Sequence, residues 1–366
     1  MPDTARGILM VFLLAPALLP AAQSEWKNVP RVVAVGDVHG DYNGFVEVLR
    51  SAGVIDQKDH WAGGKTHLVQ TGDVPDRGPD TRKAMDLLMQ LEKEADKAGG
   101  HVHALVGNHE AMNVYADLRY TTPAEFAAFV DNDSERVRAG FWKREMKQNP
   151  HPALDAQRKW EEAHPLGWYE QRIAFSSEGK YGKWIRSHNA LVKINDTIYL
   201  HGGISPRYAA MTVKQINEAV AAELNDLPAM KQDGAVMGTD SPLWYRGIAL
   251  EDGPAIAAHV DLVLKTNDAQ RIVISHTVTP GAIIERFGGK VVMIDTGMTA
   301  VYGGHRACLL LEGDKVYAIH RGEKLILPPG GADYIAYLKK ALALEPAGSP
   351  LAKHIAETEA ALAGSK

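Results

Sequence analysis

Gly36-Asp37-Val38-His39-Gly40-Asp41 follows directly on the apolar run Arg31-Val32-Val33-Ala34-Val35. A β-branched run of this length predicts a buried strand, and the two glycines let the backbone turn and approach another group closely. The turn presents a carboxylate and an imidazole, Asp37 and His39, two positions apart. Such a pair on one tight loop makes half of a metal site. One loop is weak grounds, since Asp and His in a glycine turn also serve as solvated loop residues. The pattern, however, returns four more times.

Thr66 to Thr71 predicts a second strand, ending in Gly72-Asp73-Val74-Pro75-Asp76-Arg77-Gly78. His101 to Val106 predicts a third, ending in Gly107-Asn108-His109-Glu110. Asn43 to Ala52 and Thr81 to Ala98 carry apolar residues at helical spacing, the latter closed by Gly99-Gly100. Strand, polar glycine loop and helix in repetition predict an α/β core. In such cores the ligand crevice lies outside the carboxyl ends of the strands.

Farther on, Thr197 to Leu200 runs into His201-Gly202-Gly203-Ile204-Ser205-Pro206, and Arg271 to Ser275 ends at His276. Val213 to Leu224 reads as helical. Strands are expected at Val291 to Ile294, Ala307 to Leu311 and Val316 to His320, whose tight glycine turns suggest an antiparallel second sheet. An amphipathic helix is expected from Ala332 to Leu344, then a helix or tail over 346–366. The segment 111–195 is rich in charge, tryptophan and tyrosine and reads as helices without alternating strands. It is either a lid or substrate wall beside the crevice or a structural flank. With no repeat and no long linker, one catalytic domain over 30–345 is expected.

Composition bounds the function. The 366 residues are 45% hydrophobic and 23% charged, as in an ordinary globular chain. A net charge of −5 gives no general electrostatic reason to bind nucleic acid or anionic lipid. Arg6, the short apolar run from Gly7 to Pro20 and the small residues around Ala22-Gln23-Ser24 predict a cleaved signal peptide over 1–24. The protein is thus expected outside the cytoplasm, foremost in a periplasm, with secretion or an organelle lumen as alternatives. Cys308 is the only cysteine, so neither an intrachain disulfide nor a thiolate metal cluster can form. A cysteine-nucleophile phosphatase would need Arg six positions after Cys; Asp314 stands there.

The five loops offer Asp37, His39, Asp73, Asn108, His201 and His276, oxygen and imidazole donors suited to Mn, Fe or Zn. Six groups exceed the needs of one tetrahedral zinc with an open position. They divide between two ions if one carboxylate bridges, and Asp73, on the middle of the first three loops, is the candidate. Two ions side by side can clamp a phosphoryl group for in-line attack.

GDVHG, GDVPDRG, GNHE and HGGIS, in this order, resemble the phosphoprotein phosphatase branch of the calcineurin-like metallophosphoesterases, from about Val32 to Leu311. The resemblance implies a four-layer α-β-β-α fold, a sandwich of two mixed sheets flanked by helices, with 111–195 as a helical insertion. It implies a first metal on Asp37, His39 and Asp73, and a second on Asp73, Asn108, His201 and, by a looser match, His276. Arg77 and Arg246 would grip the substrate phosphate. His109 would protonate the leaving oxygen, with Asp76 orienting it. The implied reaction is phosphomonoester hydrolysis by direct attack of a hydroxide held between two divalent or trivalent ions, on a phosphoprotein or phosphopeptide. Val74-Pro75 and the stretch DTGMTAVYGGHRACLLLEG depart from the serine/threonine members and are similar to the Shewanella-like subgroup, which implies a phosphotyrosine preference. Asp295, Tyr302 and His305 fall near the expected crevice, in functional or structural roles. The alternatives are a dinucleoside polyphosphate or nucleotide hydrolase of the same superfamily and a non-catalytic phosphate-binding scaffold.

Overall fold

Val32 to Val35 are fully buried, as a continuous apolar run requires when both faces of a strand are covered. The computed structural model describes residues 23–150 and 153–364. Most of the expected signal peptide, 1–22, therefore lies outside the described residues. In chain order the strands are β1 (Glu25–Trp26), β2 (Arg31–Val35), β3 (His67–Gln70), β4 (His101–Ala104), β5 (Leu191–Ile194), β6 (Thr197–Leu200), β7 (Arg271–Ile274), β8 (Ile284–Arg286), β9 (Val291–Met293), β10 (Ala307–Glu312), β11 (Lys315–His320) and β12 (Glu323–Ile326). The helices are α1 (Tyr42–Ser51), α2 (Thr81–Ala98), α3 (Asn108–Tyr115), α4 (Pro123–Ala127), α5 (Ser134–Gln148), α6 (Ala156–Ala163), α7 (Trp168–Phe175), α8 (Lys180–Arg186), α9 (Val213–Asn225), α10 (Gly247–Leu250), α11 (Pro254–Thr266), α12 (Gly331–Leu344) and α13 (Leu351–Gly364).

The strands form two six-stranded mixed sheets, ordered β12-β11-β10-β2-β3-β4 and β1-β5-β6-β7-β9-β8. β2, β3 and β4 are parallel in the first; β6, β7 and β9 are parallel in the second. Helices flank the sheets, and one apolar core runs from Val33 and Leu68 through Tyr199 and Val273 to Leu309.

The parallel strands of both sheets bring their carboxyl ends to one place. There Thr71 Oγ1, after β3, donates to Ser275 Oγ, after β7, at 3.0 Å. The approach is close enough to demand glycine. A Cβ on Gly36 would stand 2.6 Å from the Ile294 carbonyl oxygen. Gly72 has φ +95°, and a Cβ there would meet Gly107 Cα at 2.6 Å.

Two expectations are corrected. The three late strands do not form one antiparallel second sheet. β9 pairs parallel with β7, whereas β10 and β11 cross back to the first sheet, β10 lying antiparallel to β2. Alternation marks a strand but not its partner, and β10 supplies the buried apolar edge that β2 needs. The segment 111–195 is also not wholly helical. Its last residues are β5, which pairs antiparallel with β6 through Asn195-Asp196. The tail is helical as α13 and packs on α12.

Candidate active site and metal centre

All six expected ligands are buried at these strand ends. Asp37 and His39 follow β2, Asp73 follows β3, Asn108 opens α3 after β4, His201 follows β6 and His276 follows β7. Their loops are locked by backbone contacts. Val38 N and His39 N both donate to the Asp73 carbonyl at 3.0 Å. The Glu110 carboxylate accepts from Asp73 N, Val74 N and Gly107 N at 2.8, 2.8 and 2.9 Å, tying the second loop to the third. His39, Asp73, Asp76, Arg77 and His276 all have positive φ, a conformation that costs free energy and persists where the surroundings dictate it.

The donor atoms fall into two groups that share Asp73. In one, His201 Nε2 lies 2.8 Å from Asn108 Oδ1, 3.1 Å from His276 Nδ1 and 3.2 Å from Asp73 Oδ2. In the other, His39 Nε2 stands 3.8 Å from Asp37 Oδ2 and 3.8 Å from Asp73 Oδ2. His109 Nε2 also comes within 3.7 Å of Asp73 Oδ2, so distance alone admits it beside His39 and Asp73 as a ligand. Its Nδ1 is held by Asp76 Oδ2 at 2.7 Å.

The electrostatics fit cations. Burial first, then Asp295 and Asp73, pushes the Asp37 carboxyl well above its usual range. Burial likewise lifts Asp295 to about 6. Burial lowers His39 to about 4, and burial with His201 holds His276 well below its ordinary value, leaving both imidazoles neutral. Burial opposes ionisation of Asp73, but His201 and His109 overcome it and hold that carboxyl well below the usual carboxylate range. His276 Nε2 and Asp295 Oδ2 are buried without a hydrogen-bond partner. Crowded carboxylates beside neutral imidazoles are the donor state that divalent metals take.

The ligand groups open into a polar cavity of about 70 Å³. Asp37, His39, Asp73, Asn108, His109, His276, Arg77 and Arg246 line it; His201 and Asp76 stand behind the lining. A larger groove of about 830 Å³, bounded by β8, β12 and α12, lies elsewhere and includes none of these residues. The Arg77 guanidinium lies over two rings, 4.4 Å from the centroid of Tyr120 and 5.2 Å from that of Tyr302. Arg246 also reaches the cavity, but its NH1 group donates to His276 O at 2.6 Å and Thr277 Oγ1 at 3.0 Å. It therefore braces the His276 loop and retains only part of its fork for a ligand.

His109 carries a raised pKa: burial lowers it, and Asp73 and Asp76 together more than reverse that. Asp76 also accepts from Asn113 Nδ2 at 3.1 Å and Thr121 Oγ1 at 2.8 Å. Tyr120, Thr121 and Asn113 escaped the sequence reading, as did Trp244 in the cavity wall. Tyr120, Thr121 and Asn113 are scattered polar and aromatic residues with no motif around them, whereas Trp244 stands two positions before Arg246 in LWYRG. Glu110 had a signal that went unread, an acid at the third position of α3. Asp295 and Tyr302 line the cavity; His305 does not, its Nδ1 being paired with Glu345 Oε2 at 2.7 Å. Cys308 is buried in β10 with its thiol pushed up to about 12, an inert packing residue.

The model of the calcineurin-like phosphoesterase family matches residues 30–280, and the chain belongs to that family of hydrolases. It is 33% identical to an uncharacterized protein of Schizosaccharomyces pombe, over 80% of this chain and 81% of that one. It is 30% identical to Shewanella-like protein phosphatase 2 of Arabidopsis thaliana, over 76% and 73%. A cold-active protein-tyrosine phosphatase of a psychrophilic Shewanella species superimposes with a TM-score of 0.65 at 27% identity, covering 84% of this chain and 83% of that one. Within the family, the chain falls in the Shewanella-like subgroup of the phosphoprotein phosphatase branch.

Proposed function

We propose that the protein is a dinuclear metal-dependent phosphoprotein phosphatase that hydrolyses phosphomonoesters, with phosphotyrosine favoured. The observation that carries this reading is the pair of buried donor groups sharing Asp73, with the Arg77 guanidinium and His109, paired to Asp76, beside them in one cavity. Asp37, His39 and Asp73 would hold one ion, and Asp73, Asn108, His201 and His276 the other. Manganese, iron and zinc suit these donors. When bound, the two ions supply Lewis acidity to the phosphoryl oxygens and lower the pKa of water near them.

The chain's own groups do the rest. Arg77, lying over Tyr120 and Tyr302, points hydrogen-bond donors at phosphate oxygens and stabilises charge as it develops there. Arg246 lines the same cavity and adds positive charge there. Asp76 accepts the Nδ1–H of His109, which leaves Nε2 to carry the proton handed to the leaving oxygen. Burial of the ligands, His109 and Asp76 keeps their fields from being screened by water, whereas Arg77 is half-buried and Arg246 exposed at the mouth. The aromatic rim of Tyr120, Trp244 and Tyr302 supports an aryl ester as the preferred substrate. So does the likeness to the Shewanella enzyme, which is a protein-tyrosine phosphatase.

Export to a periplasm is also proposed, from the 1–24 pattern alone. Among the described residues no helix is long and apolar enough to cross a membrane.

Hydrolysis of para-nitrophenyl phosphate after chelation and metal add-back, beside Asp73→Asn and His109→Asn, tests the reading. Restored activity in the parent and near-complete loss in Asp73→Asn are expected, with a smaller loss in His109→Asn because para-nitrophenolate departs with little protonation. Phosphate binding without turnover in the metal-loaded parent would replace the enzyme with a scaffold. Phosphotyrosine and phosphoserine peptides then decide the substrate preference.

A further inference from the structure

Beside the Thr121 and Tyr120 contacts, the insertion reaches the reacting end of the site through a file of buried side chains. Asp76 Oδ2 accepts from His109 Nδ1 at 2.7 Å and from Asn113 Nδ2 at 3.1 Å. Asn113 Nδ2 also donates to the His109 carbonyl at 3.0 Å. Asn113 Oδ1, on the other end of that amide, accepts from Gln171 Nε2 at 2.7 Å. Gln171 lies on α7, and the neighbouring Arg172 NH1 donates to the Asn113 carbonyl at 2.6 Å. Gln171, Asn113 and Asp76 are wholly buried and His109 nearly so.

The orientation of each amide follows from the chemistry of its neighbours. The Asp76 carboxylate and the His109 carbonyl can only accept, so the NH₂ group of Asn113 must face them. Its oxygen then faces α7, and only a donor can meet it there. Gln171 supplies that donor. Remove it and the Asn113 oxygen is buried without a partner, a cost comparable to the hydrogen bonds on the amide's other end. The Asn113 side chain is then free to rotate away from Asp76, and Asp76 loses one of the groups that fix it under the imidazole.

We propose that Gln171 is a positioning residue for leaving-group protonation, acting from the insertion through Asn113 and Asp76 to aim His109. The inference rests on His109 being the general acid. In that step the P–O bond pair goes to the leaving oxygen and the Nε2 proton joins it. The imidazole must therefore be aimed well when the leaving oxygen is a poor leaving group, and much less so when it departs unaided. The insertion is then part of the catalytic apparatus, and a residue over fifty positions from the GNHE motif tunes which esters are cleaved.

The test uses the full-length zinc-loaded protein with two aryl esters, para-nitrophenyl phosphate and phenyl phosphate. Gln171→Met keeps the volume and removes the donor. It should lower kcat about tenfold for phenyl phosphate, part of the 10²–10⁴-fold that general acid catalysis supplies. The loss for para-nitrophenyl phosphate should be under about threefold, with KM unchanged for both. Gln171→Leu, which likewise has no donor, should behave like Gln171→Met, and Gln171→His, which retains a ring N–H, should recover part of the loss. Equal losses on the two esters, or none, overturn the proposal, because a merely structural residue would not discriminate between leaving groups. His109→Asn is run alongside. If it too slows both esters equally, the general-acid assignment falls and the relay with it. If His109→Asn discriminates and Gln171→Met does not, only the relay falls. Should Gln171→Met fail to fold, Asn113→Leu interrupts the same file one step closer and must show the same discrimination.

Discussion

Asp76 Oδ2 and His109 Nδ1 are 2.7 Å apart, and neither residue exposes more than 3% of its surface. A charge-assisted hydrogen bond this deep fixes both the tautomer and the direction of the imidazole. Asp76→Asn keeps an acceptor but removes the charge. It is expected to lower kcat about a hundredfold, with little change in KM, in steady-state hydrolysis of phenyl phosphate.

Asp37 and His109 compete on distance for the place beside His39 and Asp73. The carboxylate, crowded by Asp295 and Asp73, has the greater need of a cation. Mass-spectrometric metal counting should therefore find two ions in His109→Asn, one in Asp37→Asn, and fewer than one in Asp73→Asn. Loss of an ion from His109→Asn would move that residue from acid to ligand.

Arg77 depends on its shape as well as its charge. Lysine would keep the charge but lose the planar fork that lies over Tyr120 and Tyr302. Arg77→Lys is expected to lower kcat/KM for para-nitrophenyl phosphate by about a hundredfold, comparable to loss of one oxyanion-hole donor. Arg246, already bonded to His276 O and Thr277 Oγ1, should cost less when replaced by lysine.

At the opposite end of the first sheet, His67 Nδ1 meets His103 Nε2 at 3.0 Å, under the Trp26 ring and beside His101 and His188. Burial, then His101, lowers the pKa of His67 from 6.5 to about 4, and burial lowers His103 as well. The folded state keeps both neutral while the unfolded chain takes up protons below about 6.5. This stability is fully present above that pH and is lost as pH falls toward 4. For His67 alone the loss at pH 4 is about 3 kcal/mol. Thermal melts from pH 7 to 4 should show a falling midpoint, and His67→Gln should flatten the slope.

Much of the site was legible because its ligands sit at the ends of buried strands. Val32 to Val35 and Ile272 to Ile274 announce themselves by composition, and Asp37, His39 and His276 follow within five residues. Donor arithmetic singled out Asp73 as the candidate shared carboxylate, and both buried donor groups include it. Pairing between strands was not legible, since the pattern of Ala307 to Leu311 is satisfied equally beside β2 or β9. Nor was the role of the insertion. Asn113, Thr121 and Gln171 are ordinary polar residues in sequence, and only the fold brings them to Asp76.

Two ions joined through Asp73 are expected to make one catalytic site, active only when both are bound. The most direct measurement is a metal titration of the stripped protein, with bound metal and para-nitrophenyl phosphate turnover recorded at each addition. Turnover that stays near zero through the first equivalent and rises with the second, reaching its limit at two, is the predicted result. Full activity at one bound ion, or two bound ions with no turnover, would contradict a shared two-ion site.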